Sequence, residues 1–158
     1  MKKFFFAFTS LFVVLSTSGY AQSEKQEALQ VAQALLDAIE QGDTTAFRAV
    51  FLPNAMIYTV REKDGQAVSA SRSPFSDTFR PGTVITERMK DAGVEVQVHG
   101  NIAQVWAPYN LWINDAFSHC GVDVFTLIKT VTGWRIAALS YTIEKTGCGS
   151  PEFPAAKR

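Results

Sequence analysis

Apolar positions in the first third of the mature region recur at helical spacing. Ala28, Val31, Ala32, Leu35, Leu36 and Ile39 fall at i, i+3, i+4 and i+7, which predicts one amphipathic helix over 24–41. Ser23 precedes it as an N-cap, with Gln26 three residues on, as in a capping box. Gly42 ends that helix, and Asp43 or Thr44 caps a short second one over 45–51. Pro53 stops it, because proline has no N–H to donate and crowds the preceding turn.

Beyond Pro53 the period changes from 3.6 to 2. Alternating runs at 55–60, 67–71, 84–89, 94–98, 102–113, 117–129 and 134–145 predict strands. Their separators are turn chemistry: Asp64-Gly65, Asp91-Ala92-Gly93, His99-Gly100-Asn101, Asn114-Asp115 and Thr132-Gly133. Between 72 and 82, Ser73-Pro74 predicts the start of a short helix that ends by Pro81-Gly82. Helices first and a meander of long strands afterwards predict an α+β domain, with the helices packed on one face of a curved antiparallel sheet. The other sheet face is left for solvent or for a second copy of the chain.

The first residues change where this domain resides. Lys2 and Lys3 precede an apolar run from Phe4 to Leu15, followed by small residues and Tyr20-Ala21. That is the layout of a secretory signal peptide, with Ala21 the expected last residue removed. The run is about 12 residues, against about 20 for a helix that spans a bilayer. No cysteine follows the exit region, which argues against a lipoprotein anchor. The expected organisation is therefore a signal peptide over 1–21, one domain over 22–148 and a flexible proline-containing tail over 149–158. The expected location is periplasmic or secreted, in a bacterium. Cleavage removes two lysines and no acid, leaving 15 acidic against 13 basic residues. A weakly acidic chain suggests neither a nucleic acid nor a membrane surface as partner.

In an exported chain, two cysteines point to a disulfide between Cys120 and Cys148. Two free thiols, or a reactive Cys120 beside His119, remain the alternatives at this level.

Candidate chemistry gathers in the strand predicted over 117–129. There His119, Gly121, Asp123, Phe125 and Leu127 share one face. Asp123 is an ionisable group among hydrophobes, and a carboxyl so placed would have its pKa raised and could donate a hydrogen bond at neutral pH. Asp123 and His119 are the candidate acid/base pair. Aromatic residues crowd a small domain, and Tyr58, Phe79, Trp106, Trp112 and Phe125 join His119 and Asp123 as candidate lining of a ligand cavity. Alternation sets Trp106 and Trp112 on one face of their strand and Tyr109 on the other. No cluster of metal ligands, no Ser-His-Asp arrangement and no glycine-rich phosphate loop is legible, so neither metal nor cofactor is expected.

Two motifs carry a resemblance. "QGDTTAFRAVFLPNAMIY" (41–58) and "GWRIAALSYT" (133–142) resemble the helix break, strand entry and final strand of the nuclear transport factor 2-like superfamily, the cone fold shared with SnoaL-like cyclases and ketosteroid isomerase. "VWAPYNLWINDAFSHCGVDVFTLIK" resembles its exported branch labelled as lumazine-binding. The resemblance covers about residues 24–148 and implies a cone with one open end. It matches Asp123 to the isomerase's oxyanion-stabilising Asp. It puts Thr59 where the proton-shuttling Asp would stand, and the first helix lacks the matching tyrosine. Isomerase chemistry is thus not expected. The expected function is a non-catalytic small-molecule-binding or accessory protein, forming a homodimer through its sheet. A cavity enzyme of isomerase, dehydratase or cyclase type using Asp123 and His119 is one alternative. A protein-interaction module with a filled cone is another.

Overall fold

A computed structural model describes residues 17–149 and 151–154, so most of the expected signal segment and the last four residues lie outside the described residues. The first helix, α1 (Thr17–Gln41), starts earlier than its apolar stripe. Gly42 ends it in the left-handed region at φ 64°, and the Asp43 amide closes onto the Ala38 carbonyl. The Asp43 carboxylate then accepts from the Thr45 and Ala46 amides, two donors that the start of α2 (Thr44–Ala49) leaves without helical partners.

The strands are β1 (Phe51–Lys63), β2 (Gln66–Arg72), β3 (Ile85–Met89), β4 (Glu95–His99), β5 (Ile102–Ile113), β6 (Ala116–Thr130) and β7 (Gly133–Ile143). They form one sheet in the order β2-β1-β7-β6-β5-β3, and β4 pairs with the first half of β5. The fold class is α+β, as the pattern predicts, but the sheet is mixed. β1 runs parallel to β7, because the chain leaves β2 at one edge, crosses to β3 at the other and meanders back to lie beside β1. The antiparallel expectation is corrected on that one pairing. β1 also begins before Pro53 rather than after it. The ladder to β7 breaks between Phe51 and Met56, where proline need donate no bond. The helix expected over 73–81 is a single 3-10 turn, Pro74–Ser76, capped by Ser73.

The helical face of α1 lies across the sheet. Ala28, Ala32 and Leu35 are fully buried against Val105, Ala107, Phe125, Leu127 and Ile136. Register shifts at Leu111/Trp112 and at Thr126/Leu127 bend the long strands, so the sheet curls around the helix. The first half of α1 is pinned by Glu24, whose carboxylate accepts from Lys129 Nζ and from Trp134 Nε1 at 3.1 Å. Lys129 holds that carboxyl below its ordinary pKa.

Cys120 and Cys148 are joined in a disulfide, with Cα atoms 5.7 Å apart, and it ties the segment after β7 back onto β6. The alternatives with free thiols are thereby set aside. Along the tail, Phe153 rests edge-on against Trp112 at 5.9 Å, so the segment expected to be flexible is docked at least there. Closing a loop of 28 residues stabilises a chain by about 3 kcal/mol in the chain-entropy account. Cys148→Ser is expected to lose about that amount in a urea melt and to shift the fluorescence of Trp112 as Phe153 detaches. An unchanged melting curve would show that the bridge adds nothing to the strand pairing.

Candidate functional site

The concave face of the sheet and the inner side of the helices enclose a cavity of about 290 Å³. Its apolar walls come from α1 (Leu35, Leu36, Ile39), from Phe47 on α2, from Phe79, and from Ile57, Leu139 and Ile143 of the sheet. Phe79 stands edge-on to Phe47 at 5.5 Å, which fixes the loop between β2 and β3 as one side of the cone.

Strand register places the polar groups. Ala107, Asp123, Tyr141 and Thr59 lie in one row across β5, β6, β7 and β1, while Glu87, Leu111 and His119 form another across β3, β5 and β6. Tyr109 projects between those rows, and its hydroxyl donates to the Thr142 carbonyl at 2.7 Å, passing over Gly121. At the mouth, Arg72 Nε donates to both oxygens of Asp77 at 2.9 and 3.0 Å, and its Nη1 reaches Tyr141 Oη at 3.3 Å and Thr59 Oγ1 at 3.4 Å. Burial works against the Arg72 charge, and Tyr141 and Asp77 more than restore it, so its pKa is raised.

Two carboxyls face each other on the cavity wall. Asp123 is 2% exposed and Glu87 8%. Among the described residues no N–H or hydroxyl reaches Asp123 Oδ2, and the Glu87 carboxyl stands against Asp123 within hydrogen-bond reach. Burial raises Glu87 to about 7, with its hydrogen bond to Asp123 opposing that rise. Burial, and then the neighbouring Glu87, push Asp123 well above the usual carboxylate range. Two buried carboxyls in contact cannot both ionise cheaply, so they hold a proton between them. Burial, followed by Glu87 and Asp123, also raises the Tyr109 phenol, which stays protonated.

Of the residues expected at the site, Phe79, His119 and Asp123 line the cavity. His119 is not the partner of Asp123. The side chain that acts on Asp123 is Glu87, and the His119 Nδ1 is 2.9 Å from Ser118 Oγ. Burial, then Lys145, lower its pKa and keep it neutral. Tyr58 and Trp106 are corrected. They point to the opposite face of the sheet, 43% and 47% exposed, because alternation turns them away from α1. Trp112 is buried, but between Phe117 and Phe153 rather than at the cavity. Phe125 belongs to the core beneath α1.

Sequence reasoning missed Glu87, Arg72, Asp77 and Tyr141. Glu87 shares a strand face with Ile85 and Met89 as Asp123 shares one with Gly121 and Phe125, but a five-residue strand with Arg88 in it is too short for that pattern to be read. Among the described residues no group of His, Cys, Asp and Glu side chains is arranged to hold a metal. No described helix is long and apolar enough to cross a membrane.

Solved structures share this architecture. A nuclear transport factor 2-like superfamily protein from Salmonella enterica serovar Typhimurium is 20% identical, with 82% of this chain and 98% of that one covered at a TM-score of 0.61. The β subunit of a "putative aromatic-ring-hydroxylating dioxygenase" from Novosphingobium aromaticivorans is 10% identical, with 80% and 92% covered at 0.63. A "putative dehydratase" of the same fold family from Streptomyces avermitilis is 15% identical, with 77% and 96% covered at 0.56. At these identities the likeness establishes the cone fold and no activity. No curated protein matches the chain. A family model described as "Putative lumazine-binding" matches residues 23–142, and on that match the chain belongs to this family.

Proposed function

We propose that this is an exported, non-catalytic binding protein whose cone holds one small molecule with an apolar, ring-sized body. The cavity carries the reading: about 290 Å³, with apolar walls and a few polar groups at defined points. That volume stands at the small end of ligand sites, which run from about 300 to 1,000 Å³, and favours a single or fused ring over a long chain. The family description names a planar heterocycle of that size. Residues Phe79, His119 and Asp123 would contact it, joined by Glu87, Tyr109 and Tyr141. A filled cone, as a pure interaction module would have, is disfavoured by the same open volume. The signal-like first residues and the disulfide support export to an oxidising compartment, periplasmic or extracellular.

The outer sheet face supports a homodimer. Trp106, Val124, Ser140 and Tyr58 form a row across β5, β6, β7 and β1. The outward positions of those strands around this row carry no formal charge, while Glu95 and Arg135 stand at its margins. A second copy could cover such a face without burying an unpaired ion.

A catalytic reading has one observation in its favour, the perturbed Glu87–Asp123 carboxyls in a cleft. It would replace His119 with Glu87 as the partner of Asp123.

Native mass spectrometry of the protein purified from the periplasm tests binding and assembly together. Expected is a dimer mass carrying a small non-covalent adduct on each subunit, or taking one up when lumazine is supplied. Empty monomer that takes up nothing would overturn both.

A further inference from the structure

The cavity lining carries three acids, Asp77, Glu87 and Asp123, and two bases, Arg72 and His119, of which Arg72 is taken up by Asp77 and neither acts on the Glu87–Asp123 pair. No lysine, arginine or histidine acts on the Glu87 or Asp123 carboxyl. The groups that face them from each packed element are otherwise engaged or apolar. On β5, the Tyr109 hydroxyl already donates to Thr142. On β6, His119 is turned to Ser118. From β7 and β2, Tyr141 and Arg72 bind each other, with Asp77 on the far side of the guanidinium. From α1 come Leu35, Leu36 and Ile39. Asp123 Oδ2 is thus a buried acceptor facing a cavity, without a donor. A buried acceptor left so weakens the fold, and among the described residues none relieves it.

We propose that the cavity binds a small organic cation, a primary or secondary ammonium on an apolar ring, with its N–H groups donated to Asp123 Oδ2 and the Glu87 carboxylate. This rests on the binding reading above and names its ligand class. A ligand carbonyl could accept the one proton the pair holds, but it would leave the remaining carboxyl oxygens without a donor. A carboxylate ligand would add like charge. An ammonium supplies both what is missing, donors and positive charge, and charge-assisted bonds of this kind are about twice as strong as neutral ones. The ring would lie among Leu36, Phe79, Leu139 and Ile143. The proton balance is simple: the incoming cation replaces one proton held by the carboxyls, which leaves to solvent. Glu87 titrates at about 7, so that exchange is easy at neutral pH and hard in acid.

Calorimetric titration of the full mature chain with benzylamine, toluene and acetophenone tests this. At pH 7.5 benzylamine is expected to bind at least about tenfold tighter than either neutral probe, a difference of roughly 1.4 kcal/mol. That preference should shrink at pH 5.5, and it should vanish in Glu87→Gln and Asp123→Asn, with toluene still binding as the sign of an intact cavity. Acetophenone binding as tightly as benzylamine, or an amine preference that survives in both variants, would overturn the cation. If toluene binds with no preference for the amine, this inference fails and the binding reading stands. If no probe binds, both fail.

Discussion

Gly121→Ala is expected to destabilise the protein by about 4 kcal/mol and to push Tyr109 out of the cavity wall. Gly121 has no positive φ, so the requirement is for space and not for backbone freedom. A methyl group there would overlap the Thr142 carbonyl oxygen, and it would stand 2.8 Å from Tyr109 Cε1 and 2.9 Å from Thr142 Oγ1. β7 cannot retreat, because it is paired to β6 on one side and to β1 on the other. Tyr109 must then swing away and leave the Thr142 carbonyl unsatisfied, adding about 1–3 kcal/mol to an overpacking cost of similar size. A loss of that order lowers the melting temperature by roughly 10 °C or more in a domain this long. Tyr109→Leu in the same chain should recover part of the loss, since the two changes act on one contact. A thermal melt showing Gly121→Ala within 1 kcal/mol of wild type would sink the account.

Tyr109 and Gly121 also mark how far the sequence could be read. Period-2 alternation placed β5 over 102–113, the bounds found in the structure. It also set Tyr109 opposite Trp106, as observed. It did not say which of the two faces meets α1. The inward side of β5 opposite the helix carries Ala103, Val105 and Ala107, because α1 presses close and leaves no room for larger side chains. Trp106 is large because it faces away. Size alone therefore misleads: the bulky aromatic residue looked like cavity lining, and the small residues were the true mark of the packed face. Asp123 was legible because it interrupts an apolar run on a long strand. Glu87 was not, because β3 has five residues and its neighbour Arg88 allows either face to be read as the wet one. The parallel pairing of β1 with β7 was beyond a local reading as well. It is set by where a chain segment of more than 70 residues returns, and no turn motif records that. Arg72 and Asp77 belong to the same class, brought to the mouth by a loop read as helix.

Stability should fall as pH rises from about 5 to 9, and Glu87→Gln should abolish much of the fall. Glu87 and Asp123 have folded pKa values above those of the unfolded chain. Below about pH 4 both states hold these protons and the carboxyls are without effect on folding. As pH rises past that, the unfolded chain ionises first while the folded chain keeps its protons, so stability declines by about 1.4 kcal/mol per pH unit per group. For Glu87 the decline runs from 4.5 to about 7, on the order of 3 kcal/mol, and Asp123 acts in the same direction. Two other groups have the opposite sign. Glu24, with its pKa lowered by Lys129, loses its stabilising contribution as pH falls below 4.5, outside this window. His119, with a lowered pKa, favours the folded state as pH rises toward 6.5, and so masks part of the decline between 5 and 6.5. The comparison of Glu87→Gln with wild type removes both, since each is common to the two proteins. Urea melts at pH 5, 7 and 9 should show the variant overtaking wild type as pH rises, because a buried amide replaces a carboxyl that must ionise without a counter-charge. Asp123→Asn should behave alike. A Glu87→Gln protein less stable than wild type at pH 9 would mean that the carboxylate has a stabilising donor, and the idea of an acid pair awaiting a cation would fall with it.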